Sequence, residues 1–357
     1  MKYWNKKLKE MSEYIPGEQP QDLDEYIKLN TNENPYPPPS ETINAIKDAL
    51  DERLRLYPDP TCLELRKLIS SVYLPEYNSL THINNVMVGL GSDEIIDLLF
   101  KAFIDPGDFV TFFNPSYGMY AVLSEFYSAN TNVIDLTEDF EIPVDINASG
   151  KIFFIDSPNN PSGKIRSNEL IALICEKFDG LVVVDEAYAD FSSSTALPLL
   201  KKHKNLAVMR TLSKGYSLAS QRIGFIVADA KIIKILNEVK LPYNLPYLSQ
   251  IAGIAAIKNM RDQKANNEKI QNERSRMISI LTEFGIKVLP TESNFLFISM
   301  DESTAMKIFW ELKDRKILVR HFNKKGLYRY LRVSVGTVDE NNAFLEAFKE
   351  IAAKYIS

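Results

Sequence analysis

The sequence predicts an α/β fold: a mostly parallel sheet sandwiched by helices, with a smaller α+β C-terminal domain and an extended N-terminal arm. Three observations carry this. Between residues 86 and 228, short apolar runs alternate with helical patterns. Several of those runs, such as Leu181-Val-Val-Val and Ile152-Phe-Phe-Ile, are apolar throughout, as strands covered on both faces are. After residue 285 the order loosens into strand, helix, two strands and helix, which suits a separate α+β unit.

Taken in order, residues 1–40 are irregular and proline-rich, yet carry Tyr3, Trp4, Tyr14, Tyr26 and Tyr36. Disordered tails are poor in aromatics, so this arm is expected to dock on another surface. Ser40-Glu-Thr-Ile opens a helix expected over 40–54, Tyr57-Pro-Asp-Pro breaks the chain, and a second helix follows over 61–72. Strands are then expected at 86–88, 109–113, 132–136, 152–156, 181–185, 206–209 and 223–228. The helices between them are expected at 94–103, 119–127 and 168–178, with residues 89–94 as a turn. Leu241-Pro-Tyr-Asn-Leu-Pro-Tyr is a proline-marked joint, and one long charged helix is expected over 249–284. Strands at 293–299, 317–320 and 330–335 and helices at 303–316 and 339–355 complete the chain. The domain boundaries expected are an arm over 1–40, a large domain over 41–245 and a small domain over 246–357.

Composition narrows the function. The 357 residues are 45% hydrophobic and 25% charged, enough for a sizeable core. A net charge of −5 argues against a sequence-independent nucleic-acid binder. No apolar run reaches the length of a membrane span, and the basic N-terminus has no apolar stretch behind it, so no secretory signal is expected there. Cys62 and Cys175 read as reduced core thiols of a cytoplasmic protein. His82, His203 and His321 lack ligand spacing, so no metal site is expected.

The chain is organised around Lys214. It follows the apolar run ending at Met209 and the small polar residues Thr211 and Ser213, and Arg222 lies eight residues on. Burial between two strands lowers a lysine's pKa and makes its amine nucleophilic, suited to a Schiff base. Hydroxyls and an arginine suit a phosphate. Together they point to an aldehyde cofactor carrying a phosphate, pyridoxal 5′-phosphate. A lone Ser-Lys is ordinarily a solvated surface residue, so other requirements must be met. A carboxylate is needed beside the pyridine nitrogen, and Asp185 ends a strand, although a strand-end aspartate also reads as a helix cap. Tyr188 and Asn160 could serve the ring's phenolate oxygen, and Tyr117 its face; each alone reads as a turn or core residue. Gly91-Ser-Asp opens a helix whose N–H groups could bind an anion, or is simply a tight turn. Tyr117, Asn160, Asp185 and Lys214 all fall at expected carboxyl ends of strands, as one cleft requires.

These residues carry a resemblance. Asn159-Asn-Pro-Ser-Gly, Asp185-Glu-Ala-Tyr and Thr211-Leu-Ser-Lys with Arg222 resemble the motifs of the fold-type-I pyridoxal-phosphate aminotransferases. Tyr14-Ile-Pro-Gly-Glu-Gln-Pro, Leu29-Asn-Thr-Asn-Glu-Asn-Pro, Tyr57-Pro-Asp-Pro, Gly91-Ser-Asp-Glu, Tyr117-Gly-Met-Tyr, Ile317-Leu-Val-Arg and Tyr330-Leu-Arg-Val-Ser-Val-Gly-Thr are similar to the histidinol-phosphate aminotransferase branch. The resemblance implies a cytoplasmic homodimer exchanging an amino group between glutamate and imidazole-acetol phosphate. It implies that Lys214, Asp185 and Tyr188 are catalytic, with Lys214 holding the cofactor covalently. Asn160 joins Tyr188 at the phenolate oxygen, and Tyr117 stacks on the ring. Ser92, Asp93, Thr211, Ser213 and Arg222 take the cofactor's phosphate, and Tyr57 reaches it from the other subunit. Arg332 binds the glutamate carboxylate and, with Arg320 and Tyr14, the substrate's phosphate. Ser220-Gln221 departs from the Gly-Leu pair often found before the phosphate-binding arginine. An aromatic amino acid aminotransferase and a threonine-phosphate decarboxylase on the same scaffold are the alternative readings.

Overall fold

Period-two alternation sorts the apolar strands onto two faces of one sheet. Phe153 and Ile155, Val182 and Val184, and Leu206 and Val208 join one buried cluster; Ile152 and Phe154, Leu181 and Val183, and Ala207 and Met209 join another. Each cluster is completed by helices, so the central strands of the sheet have no wet face. The structure, a computed structural model, describes residues 14–74 and 83–355, together with Tyr3, Leu8 and Met11. Trp4 and His82 lie outside the described residues.

In chain order, β1 (Ile27–Lys28) belongs to the arm, and α1 (Ser40–Asp48) and α2 (Leu63–Tyr73) follow. Then come β2 (Val86–Leu90), α3 (Gly91–Phe103), β3 (Phe109–Asn114), α4 (Met119–Phe126), β4 (Asn130–Asp135) and β5 (Ile152–Asp156). After α5 (Asn168–Lys177) come β6 (Leu181–Asp185), β7 (Leu206–Thr211), β8 (Ile223–Ala228) and α6 (Ala230–Val239). The chain closes with α7 (Tyr247–Lys258), α8 (Met260–Glu283), β9 (Lys287–Val288), β10 (Phe295–Ser299), α9 (Glu302–Asp314), β11 (Ile317–Leu318), β12 (Arg320–His321), β13 (Tyr330–Ser334) and α10 (Val338–Ala352). The large sheet has the order β2-β8-β7-β6-β5-β3-β4. All its pairings are parallel except those of β8, which runs antiparallel to β2 and to β7.

The second sheet, β12-β13-β10-β9, is antiparallel. Its buried Phe295, Leu296, Leu331 and Val333 pack with α8, α9 and α10 through Ile270, Ile308 and Phe344. The arm is stitched to this unit, because β1 pairs in parallel with β11 and buries Leu29 in the same cluster.

Five local expectations need correction. The strand expected over 317–320 is two, β11 pairing with β1 and β12 with β13 in a different sheet. The helix expected over 40–54 ends at Asp48, and a short 3-10 turn over Glu52–Arg55 is capped by Asp51. The turn expected over 89–94 is shorter, because α3 already starts at Gly91, whose φ of 79° is open to glycine. The single helix expected over 249–284 is two. Asn259 leaves helical geometry at φ −102°, ψ 28°, and its side-chain Nδ2 donates to the Ala255 carbonyl at 2.9 Å, alongside its own backbone N–H at 3.0 Å, closing the last turn of α7. The helix α6 had no expected counterpart, although Asp229 caps it by accepting from the Lys231 N–H at 3.0 Å. The break at Asn259 also bears on the domains. Ala252, Ala256 and Ile257 of α7 sit in the core beneath the large sheet. We propose that the large domain ends near Asn259 rather than at residue 245.

Candidate active site

The carboxyl edge of the large sheet borders a cavity of about 410 Å³. Thirteen of the fourteen residues expected at the site line it: Tyr14, Ser92, Asp93, Tyr117, Asn160, Asp185, Tyr188, Thr211, Ser213, Lys214, Arg222, Arg320 and Arg332. Tyr57 does not. It is 80% exposed and stacks on Tyr243 with ring centroids 4.5 Å apart.

Lys214 sits in the turn after β7. Thr211 Oγ1 accepts from the Ser213 N–H at 3.1 Å, and Lys214 Nζ reaches back to donate to the Thr31 carbonyl at 3.0 Å. Burial strips water from the ammonium and Arg332 adds positive potential, so its pKa falls to about 8. Asp185 ends β6, and its carboxylate accepts from the Tyr120 hydroxyl at 2.7 Å and the Ala187 N–H at 3.0 Å. Neither donor is charged. Burial therefore pushes Asp185 up to about 7, helped by Asp156, its register partner on β5.

The walls between these two groups are bonded into the arm and the small sheet. Tyr188 OH accepts from Asn32 Nδ2 at 2.9 Å. Asn160 Oδ1 accepts from Arg332 Nη1 at 2.7 Å, and Arg332 Nη2 donates to the Asn30 carbonyl at 3.1 Å. Arg320 donates to the carbonyls of Ile15 and Pro16 at 3.0 and 3.2 Å. Tyr14 meets Tyr117 edge-on, centroids 5.9 Å apart. Arg320 and Arg332 are cross-strand partners, and like charges placed opposite each other destabilise a ladder. Arg332 Nε is buried without a partner among the described residues. Burial and the Arg320 charge lower the pKa of Arg332. Such a pair is arranged for an anion.

At the other end, α3 begins against β8. Arg222 Nη2 donates to Asp93 Oδ2 at 2.9 Å and Nη1 to Ser213 Oγ at 3.3 Å, while Tyr117 OH donates to Asp93 Oδ1 at 2.8 Å. A Cβ on Gly91 would lie 2.7 Å from Arg222 Nη2, and one on Gly224 would lie 2.6 Å from the Ser92 nitrogen. Both glycines thus let the start of α3 close directly onto β8 and Arg222, bringing a helix N-terminus, two hydroxyls and a guanidinium to one end of the cavity, a set of donors for phosphate.

Two features test whether pyridoxal phosphate fits. Asp185 is a buried acid with neutral donors only, so a protonated ring nitrogen supplies the cation it lacks. The end of the cavity lined by Ser92, Thr211, Ser213 and Arg222, which Gly91 and Gly224 let close together, supplies the phosphate donors. The residues fit the group.

A family model described as "Aminotransferase class I and II" matches residues 24–348. The chain belongs to that family. A histidinol-phosphate aminotransferase of Clostridium botulinum (strain 657 / Type Ba4) is 40% identical over 359 residues, spanning 99% of each chain. One from Synechocystis sp. (strain ATCC 27184 / PCC 6803 / Kazusa) is 37% identical over 340 residues, spanning 95% of each. The crystal structure of histidinol-phosphate aminotransferase from Sinorhizobium meliloti in complex with pyridoxal-5'-phosphate superposes with a TM-score of 0.88. It covers 99% of this chain and 98% of that one at 22% identity, a likeness of fold. This aminotransferase also lines its cavity with residues that sequence reasoning assigned no role: Asp156, Asn32 and Glu33. Tyr120 stands behind them on Asp185. The signal for Asp156 was present, since β5 ends in an aspartate just as β6 does. Asn32 and Glu33 lie in the Leu29-Asn-Thr-Asn-Glu motif, and Tyr120 in Tyr117-Gly-Met-Tyr.

Proposed function

We propose that the protein is a pyridoxal-phosphate-dependent aminotransferase of histidine synthesis. It exchanges an amino group between L-glutamate and imidazole-acetol phosphate, giving 2-oxoglutarate and histidinol phosphate. The observation that carries the reading is a buried amine, Lys214, and a buried acid, Asp185, lining one cavity with two mutually opposed arginines. The full-length relatives of that name support the substrate assignment.

When bound, the cofactor's ring takes up the electron pair left as a proton leaves the substrate's α-carbon. Lys214 would hold the cofactor covalently, and its free amine would be the general base for that proton. A pKa of about 8 leaves part of its population neutral near physiological pH. Asp185 holds positive charge at the ring nitrogen. Asn160 offers its Nδ2 to the phenolate oxygen because its Oδ1 is engaged by Arg332, and the Tyr188 hydroxyl, held by Asn32, is the second group there. Tyr117 stacks on the ring. The amides of Ser92 and Asp93, the hydroxyls of Thr211 and Ser213, and Arg222 take the cofactor's phosphate. Arg332 takes the glutamate carboxylate and, with Arg320 and Tyr14, the phosphate of the amino acceptor. Arginine's planar fork suits both anions.

The exposed Tyr57, with exposed Leu54 and Leu56 next to it in the chain, supports a homodimer in which Tyr57 crosses to the neighbouring site. The two buried free thiols, Cys62 and Cys175, suit a reducing cytoplasm. Among the described residues no helix is long and apolar enough to cross a membrane. One experiment tests the reaction. The cofactor-loaded protein is treated with glutamate until its visible absorbance fades, and keto acids are then added singly. Imidazole-acetol phosphate should restore the band; restoration by phenylpyruvate alone overturns the assignment. Carbon dioxide release from phosphothreonine would assign decarboxylation instead.

A further inference from the structure

The segment after β12 forms part of the cavity wall, and its alternation decides what faces inward. Arg320, Phe322 and Lys324 all line the cavity, the spacing that extended chain presents to one side. Phe322 bridges the two arginines: the guanidinium carbons of Arg320 and Arg332 lie 5.9 and 5.6 Å from its ring centroid. Five cationic side chains line the cavity, and four are engaged. Lys214 donates to Thr31, Arg222 to Asp93, Arg320 to Ile15 and Pro16, and Arg332 to Asn160. Lys324 has no hydrogen-bond or ion-pair acceptor among the described residues. The acid that acts on it electrostatically, Asp135, already accepts from Asn114 Nδ2 at 2.7 Å. Lys324 stands exposed at the rim, while its ammonium is desolvated enough to lower its pKa below the ordinary lysine value.

We propose that Lys324 is a specificity-determining residue, whose ammonium takes the second charge of a phosphate terminus and so favours a phosphate-bearing acceptor over a carboxylate-ended one. The inference rests on the substrate reading above. A phosphate monoester carries a charge of about −1.5 to −2 near neutral pH, and a carboxylate carries one. Arg320 and Arg332 suffice for the carboxylate. A third cation on the same wall matters only for the more highly charged end.

The test uses the cofactor-loaded enzyme, Lys324→Gln and Lys324→Arg. In Lys324→Gln the KM for imidazole-acetol phosphate, divided by the KM for glutamate, should rise about tenfold, with kcat within about twofold, and Lys324→Arg should restore most of the ratio. Inorganic phosphate should inhibit the glutamate half-reaction of the parent enzyme about tenfold more strongly than that of Lys324→Gln. An unchanged ratio, or an equal rise in both KM values, overturns the proposal. If the parent enzyme does not use imidazole-acetol phosphate, the substrate reading fails, and the phosphate-inhibition comparison alone decides the role of Lys324. Equal inhibition of parent and variant then overturns it.

Discussion

Asp185→Asn separates what the buried acid costs the apoprotein from what it does for the cofactor. Moving a carboxyl from its ordinary 3.8 to about 7 disfavours the ionised fold by on the order of 4 kcal/mol. The sign follows from proton counting. Below pH 3.8 both folded and unfolded chains hold the proton, and the acid costs nothing. Between 3.8 and 7 the folded chain keeps a proton that the unfolded chain has released, so stability falls as pH rises and stays lowered above 7. Asparagine has the same shape and accepts from Ala187, yet cannot ionise. It loses one acceptor for Tyr120, a constant offset that leaves no pH signature. Thermal unfolding of the two apoproteins between pH 5 and pH 8 should therefore diverge. The parent should lose on the order of 3 kcal/mol relative to the variant, about 4 °C in Tm for a chain of this length. Adding pyridoxal phosphate should flatten the parent's profile, because a cation then faces the acid, and should stabilise the variant far less. Parallel pH profiles of the two apoproteins would refute the reasoning.

Three further substitutions probe the same cavity. Lys214→Ala should abolish the visible absorbance of the loaded enzyme and lower turnover by about a thousandfold or more. In the apoprotein, the rate at which an amine reagent modifies Lys214 should reach half its maximum near pH 8, which peptide mass spectrometry of timed samples across a pH series reads. Arg332→Ala strips Asn160 and Asn30 of their donor. It should cut kcat/KM for glutamate by about ten- to a hundredfold while the cofactor's absorbance persists; loss of bound cofactor would contradict a substrate role. Gly91→Ala adds a Cβ at 2.7 Å from Arg222 and a side chain at φ 79°. Equilibrium dialysis should show cofactor affinity falling by about tenfold, from roughly 1–2 kcal/mol of backbone strain.

Much of the frame was legible in the sequence because its signals were local. Strands at 152–156, 181–185 and 223–228 read to the residue, since each is an unbroken apolar run bounded by polar turns. The helix break at Asn259 did not, because asparagine within a charged helical pattern gives no stop until its side chain bonds Ala255. At the site, the cavity-lining residues came from strand ends and short motifs. Asp156 and Tyr120 required tertiary knowledge: one matters through strand register with Asp185, the other through a bond spanning 65 residues. Tyr57 stays outside the cavity of the single chain, exposed and stacked on Tyr243.

The reversed strand β8 carries a consequence of its own. Because it runs back from the carboxyl edge, its first end arrives where the parallel strands finish, and Lys214 and Arg222 meet there across one short loop between Thr211 and Ile223. The spacing of these two side chains is thereby a matter of chain length rather than of distant packing. Drift elsewhere in the molecule can be absorbed by the sheet, whereas a residue added to that loop displaces one side chain relative to the other.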